Sequence, residues 1–287
     1  LSDVGGPSAN MYQMKGKVQS ICDNCVAPSC ISPVICHNLD TSHKSMTELY
    51  QAIDQNPKIK KSFIGSGIRY DMLVPEFNKN ADAKELDDYT EEVLTNHVSG
   101  RLKVAPEHTS DPVLKLMRKP SFTYFHKFKE TFDKINLKKK LNLQLIPYFI
   151  SNHPESRLED MANLAAETKD MGFKLEQVQG FTPTPMTVAT VIYYSGYHPY
   201  TLQKAYVPKS KKEKDEQHRF FFWYKKENQN WIRNTLQKAG RSDLVSKLLP
   251  ADLRVKPKGK NKKNMAGSKQ DGYTSILKTK RKHNSRN

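Results

Sequence analysis

NLQLIPYFISNHP, residues 142–154, is a near-continuous apolar run that stops abruptly at Ser151, Asn152, His153 and Pro154. A run of this length reads as the longest strand of the chain, one of a series of parallel strands. Its polar residues then fall in the loop at the carboxyl end of the strand, where parallel α/β folds gather their active sites.

The same grammar recurs outward from this stretch. KSFIGSGIRYD (61–71) is a short apolar run ending in Ser66 and Arg69, and RLKVA (101–105) leads directly into Pro106, Glu107 and His108. Residues 174–181, with Gln179 near their end, run into TPTP (182–185). Between these runs lie helical patterns at 45–55, with Met46, Leu49, Tyr50 and Ile53 on one face, and at 85–97, with Leu86, Tyr89, Val93 and Leu94 inward. Gly100 suits the left-handed turn after the second of these. Asp111 caps a further helix with Pro112 at its first position. Phe122, Phe125, Phe128, Phe132 and Ile135 mark another, and a phenylalanine stripe at this spacing reads as core. Residues 156–171 complete the set. Strand and helix alternate every roughly 30 to 40 residues, the rhythm of βα units with right-handed crossovers. The fold class is α/β, with strand ends that share one rim. Gly5, Gly6, Ser66, Arg69, Glu107, His108, Asn152, His153 and Gln179 are expected to meet there.

Each of these has a plainer reading. Arg69 can simply bridge to Asp71, and Glu107 can cap the following helix. For a single histidine such as His108 or His153, a neutral, hydrogen-bonded structural role is the commoner one.

The chain's four cysteines fall in CDNCVAPSCISPVIC, at Cys22, Cys25, Cys30 and Cys36. Thiolates at such spacings on a short loop can turn inward onto one metal ion or cluster. The same spacing also suits unligated cysteines or two disulfides, and it does not separate zinc from iron–sulfur. With no cysteine framework elsewhere, a reducing cytoplasm is the expected compartment. No run approaches a membrane span and no signal peptide opens the chain. The chain begins at Leu1, in what reads as the end of a buried strand, so at least one upstream strand is expected beyond this sequence.

The 287 residues can bury a substantial core, yet hydrophobic content is only 37% and mean hydropathy −0.73. The net charge of +17 is uneven: residues 1–202 carry 23 basic and 23 acidic side chains, residues 203–287 carry 24 and 7. The organisation expected is a domain over 1–202 with the cysteine loop 22–36 inserted, a helical extension over 203–250, and a basic, disordered tail over 251–287. In the extension, HRFFFWYKK (218–226) mixes aromatic and basic residues that can stack on bases, although Phe220 to Tyr224 fit helix docking better. The tail's charge permits RNA contact through phosphates; solubilising disorder is its commoner meaning.

SDVGGPSANMY (2–12), CVAPSCISPVICHNL (25–39), IGSGIRYDML (64–73), LKVAPEHTSDPVLKLMRKP (102–120), IPYFISNHP (146–154) and QVQGFTPTPM (177–186) resemble the YgiQ-type radical SAM proteins, the bacterial UPF0313 family. The likeness covers nearly residues 1–250 and includes FFFWYKKEN (220–228). It implies a partial parallel (β/α) TIM-like barrel, truncated at its first strand, with a helical, basic C-terminal extension. It also implies an enzyme that uses a [4Fe-4S] cluster to cleave S-adenosylmethionine, and a 5′-deoxyadenosyl radical that abstracts a substrate hydrogen. The substrate is unknown, and an electron donor such as flavodoxin or ferredoxin is a further implied partner.

The cluster motif CxxxCxxC is absent, so this stretch alone is expected to be inactive, and Cys22, Cys25, Cys30 and Cys36 are candidates for an auxiliary iron–sulfur cluster or zinc. By the same resemblance Gly5 and Gly6 contact the cofactor's methionine amino group, with Pro7 where a glutamate is usual. Ser66 and Arg69 lie near its carboxylate, Glu107 and His108 near its ribose. Asn152 and His153 lie near adenine, and Gln179 is in the sixth-strand loop. Arg69, Glu107 and His108 are the catalytic candidates. The competing expectation is a non-enzymatic zinc-loop protein that binds RNA through its basic tail.

Overall fold

The computed structural model describes residues 1–5 and 8–251. Gly6, Pro7 and nearly all of the 251–287 tail therefore lie outside the described residues. In chain order the elements are α1 (Gln19–Asp23), α2 (Lys44–Asp54), α3 (Ala83–Asn96), β1 (Arg101–Glu107), α4 (Asp111–Leu116), α5 (Thr123–Lys138), β2 (Gln144–Ser151), α6 (Leu158–Asp170), β3 (Val178–Gly180), α7 (Val188–Ser195), α8 (Lys211–Arg219), α9 (Lys226–Lys238) and α10 (Ser242–Leu248).

This is an α/β fold built on a parallel sheet of order β1-β2-β3. β2, the strand read from 142–150, is central. Leu102 pairs with Leu145 on one side and Ile150 with Gln179 on the other. Parallel neighbours need crossovers, and α4 with α5, then α6, supply them. β1 bulges between Val104 and Glu107, and Glu107 sits at φ +68°. A bulge at a strand's end re-aims the side chains that follow it.

The run 61–71, expected as a strand, touches the sheet only at a parallel bridge between Ile68 and Val104. The reason lies in its hydrogen bonds: the amides of Gly65 and Ser66 donate to the Asp3 carboxylate (2.9 and 3.2 Å) instead of to a strand. At Gly67, φ is +94° and an added Cβ would lie 2.6 Å from the Lys103 carbonyl oxygen, so only glycine lets this segment approach β1. Residues 1–4 run beside it, with the Phe63 amide donating to Leu1 O and that of Val4 to Phe63 O. β3, expected over 174–181, spans only Val178–Gly180.

Phe125, Phe128, Phe132 and Ile135 of α5 are buried as the stripe required, and Tyr70 meets Phe125 edge-on. Each fully buried phenylalanine contributes about 1.5–3 kcal/mol. The same core continues through Met161 and Leu164 of α6 to Phe220, Phe221, Ile232, Leu236, Leu244 and Leu248. Phe220 and Phe221 are wholly buried, so these aromatics dock helices and offer no face to a base.

α3 is capped by Asp82, which accepts from the Lys84 and Glu85 amides. Before α4 the cap position is Ser110, and Asp111 is instead the first helical residue. α7 was not anticipated in the sequence reading. Its signals are nonetheless present, with Thr187 accepting from the Thr190 amide at the start and Gly196 left-handed at the end. Among the described residues no helix is long and apolar enough to cross a membrane.

Candidate functional site

The carboxyl ends of β1, β2 and β3 open into one cleft of about 560 Å³. Glu107, His153 and Gln179, one from the end of each successive strand, line it together. Arg118 and Lys119 from the turn after α4, and Thr187 at the start of α7, line it as well.

Two of these walls are electrostatically defined. Lys119 donates to the Ala105 carbonyl (2.8 Å) and lies 3.3 Å from the Glu107 carboxylate, a pair only about one-fifth exposed. Glu107 thus serves as an ion-pair partner, not as a helix cap. Arg118 has no carboxylate within ion-pair distance among the described residues. Its guanidinium lies 5.3 Å from the centre of the Tyr200 ring and donates to the Pro28 carbonyl (3.4 Å).

His153 is buried, and burial pushes its pKa down to about 4, so the ring is neutral. Nδ1 donates to the Pro154 carbonyl (2.8 Å), which leaves Nε2 as the acceptor on this cleft-lining ring. Phe181 meets the ring edge-on and limits its rotation.

His108 and Asn152 lie behind the cleft. The His108 Nδ1 accepts from the Thr109 and Ser110 amides, both at 3.0 Å, so Nε2 carries the proton and faces Ser156 Oγ at 3.2 Å. Ser156 in turn donates to Gln217 Oε1 (3.0 Å), which also accepts from the Asn152 amide (2.9 Å). Gln217 Nε2 closes the network on Ser156 O at 2.6 Å. Burial holds His108 neutral, pushed down to about 3. His108 therefore fits the structural alternative: it ties the end of β1 to the loop after β2. Ser156 and Gln217 were not singled out from the sequence, because their importance comes from a partner more than 60 residues away.

Ser66, Arg69 and Gly5 are not part of the cleft lining. Ser66 Oγ donates to Asp3, and Arg69 forks onto Asp71 through Nε (3.0 Å) and Nη2. Asn10 clasps the Arg69 backbone from both sides (2.8 and 2.9 Å). Gly5 has φ +138°, a conformation open to glycine.

All four cysteines are free thiols. Among the described residues, no three His, Cys, Asp or Glu side chains are grouped so as to hold a metal ion. Cys25 and Cys30 are exposed, whereas Cys22 and Cys36 are partly covered. Cys22 Sγ accepts from Asn38 Nδ2 (3.2 Å) and lies so close to Gly16 that a Cβ there would come within 2.2 Å of the sulfur.

The fold and this cleft define an α/β protein with a polar cleft at the carboxyl ends of a parallel sheet. The chain is 58% identical over 248 residues to a UPF0313 protein of Bacteroides thetaiotaomicron, covering 86% of this chain and 40% of that protein. A UPF0313 protein of Porphyromonas gingivalis is equally similar, and one from Methanosarcina acetivorans is 40% identical over 258 residues. Residues 176–287 match a family described as a domain of unknown function (DUF3362). The chain belongs to the UPF0313 family. It spans about two-fifths of the length of the two relatives at 58% identity, at 40% and 39%.

Proposed function

We propose that this chain contributes part of the partial (β/α) barrel of a radical S-adenosylmethionine enzyme, acting on an unidentified substrate. The observation that carries the reading is the meeting of Glu107, His153 and Gln179, each from the end of a successive parallel strand, in one cleft.

The cleft fits the nucleoside portion of such a cofactor. Its volume of about 560 Å³ is within the range of small-molecule pockets. Neutral His153 offers an acceptor, the Gln179 amide offers both donor and acceptor, and Arg118 offers a cation to a carboxylate. Arg69 is committed to Asp71 and is a weaker candidate for that carboxylate than Arg118. The cysteine set does not match the cluster motif, and no three of its thiols are grouped among the described residues, so no step is assigned to it. When bound, the cofactor and a reduced cluster supply hydrogen-atom abstraction. The chain's own part is to hold the nucleoside against the strand ends and to exclude water through Phe181 and Met117. Four free thiols suit a reducing cytoplasm, and a small electron-transfer protein of the flavodoxin or ferredoxin kind is the proposed reductant.

Two measurements test this. S-adenosylmethionine should bind the chain, and His153→Ala, at a buried position, should weaken binding about tenfold and Gln179→Ala, at an exposed one, by less. A full-length UPF0313 relative, purified without oxygen and reduced, should release 5′-deoxyadenosine. Absence of that product from an iron-loaded preparation overturns the reading.

A further inference from the structure

Residues 177–212 contain no aspartate or glutamate, four lysines and five tyrosines. The structure puts three of those tyrosines in the open: Tyr194 is 71% exposed, Tyr200 64% and Tyr197 48%. Tyr194 lies near the end of α7, and Tyr197 is bridged antiparallel to Lys204 across the turn that carries Tyr200. Lys214 of α8 donates to the Tyr193 hydroxyl (2.7 Å), which brings the lysine-rich start of α8 alongside α7. This face adjoins the cleft at two points. α7 begins in the cleft wall, and Arg118, also in the wall, lies over one face of Tyr200.

We propose that this face binds single-stranded nucleic acid and leads it to the mouth of the cleft. Exposed rings in succession offer stacking platforms to successive bases, because every base has a π-face. Lys204, Lys209, Lys211 and Lys212 supply phosphate contacts; the 36 residues themselves carry no carboxylate, and the neighbouring Glu155 and Glu213 are engaged by Tyr206 and Ser210. Arg118 stays paired with one face of Tyr200 and keeps its charge uncancelled, so a base on the other face completes a cation–ring–base stack. Met186, Val191 and Leu202 are exposed in the same segment, so the choice of nucleic acid over a lipid surface rests on the Arg118–Tyr200 pairing at the cleft and on the run of lysines, and vesicle binding is an arm of the test. The assignment stands apart from the radical reading: RNA binding without cofactor binding sinks that one and leaves this one intact.

The test uses the full chain and a fluorescein-labelled oligouridine of about 12 nucleotides, followed by anisotropy across a salt series. Tyr194→Ala, Tyr197→Ala and Tyr200→Ala should each weaken binding about tenfold without changing the slope of log K against log salt. Tyr200→Trp should retain it. Lys204→Ala should reduce the slope by about one. Circular dichroism confirms that the variants fold, as expected for exposed positions. Equal affinity for the wild-type chain and all three alanine variants would mean that the basic tail binds RNA by charge alone, and overturns the proposal. So does tyrosine-dependent binding to anionic vesicles without RNA binding, or tyrosine-dependent self-association of the chain without it.

Discussion

Protonating His108 should loosen the end of β1, and the cost can be worked from its surroundings. The ring is fully buried, accepts two backbone amides at Nδ1 and holds Ser156 at Nε2, so a second proton has neither a partner nor water. Its pKa falls from the ordinary 6.5 to about 3 in the fold. The unfolded chain therefore takes up the proton first as pH drops. The stabilisation is complete above about 6.5 and is lost progressively toward 3. Between about pH 7 and pH 5, linkage puts the loss at about 2 kcal/mol. His43 and His153, both pushed down to about 4, add to the wild-type slope in the same direction. His108→Asn isolates the one contribution, because the amide oxygen can replace Nδ1 as the acceptor and does not titrate. Urea unfolding of both proteins at the two pH values should show wild type losing about 2 kcal/mol more than the variant. Parallel pH dependences would refute the argument and mean that His108 is already accessible to protons in the native state.

Gly67→Ala should cost about 2 kcal/mol and lower the thermal midpoint, since its Cβ meets the Lys103 carbonyl at 2.6 Å and its φ is +94°. Gln217→Ala removes the shared partner of Asn152 and Ser156 within a buried network; a loss of about 2–3 kcal/mol in chemical denaturation is expected. Thr187→Ala deletes the cap of α7 and should cost about 1 kcal/mol, read as faster amide exchange in Val188–Ser195.

The elements carried by periodicity were legible. α5 follows its phenylalanines, and β2 its apolar run, to within a residue or two. Composition fails where a long-range partner decides. Residues 61–68 have a strand's composition, but Asp3, more than 60 positions away, takes the amides at Gly65 and Ser66. Glu107, His153 and Gln179 line one cleft because strand ends of a parallel sheet share a side, whereas Ser66 and Arg69, at the end of a run that does not join the sheet, do not. Arg118 and Lys119 were passed over because, read locally, they only end a helix before Pro120; the cleft wall they form appears only after α4 folds back on β1. For the cysteines, spacing gives the reach of a loop but not its path; the Cys25 amide donates to Cys22 O and the Cys36 amide to Cys30 O, and no three ligands are grouped among the described residues.

Exposure sorts the four sulfurs by reactivity. Cys22 lies against the Gly16 backbone with Asn38 as its donor, whereas Cys25 and Cys30 stand in solvent. A maleimide dye will therefore attach first at the two open positions, giving a reporter on the loop whose Pro28 carbonyl is held by Arg118 of the cleft. Ligand entry then becomes visible as a change in emission, with no substitution anywhere in the chain.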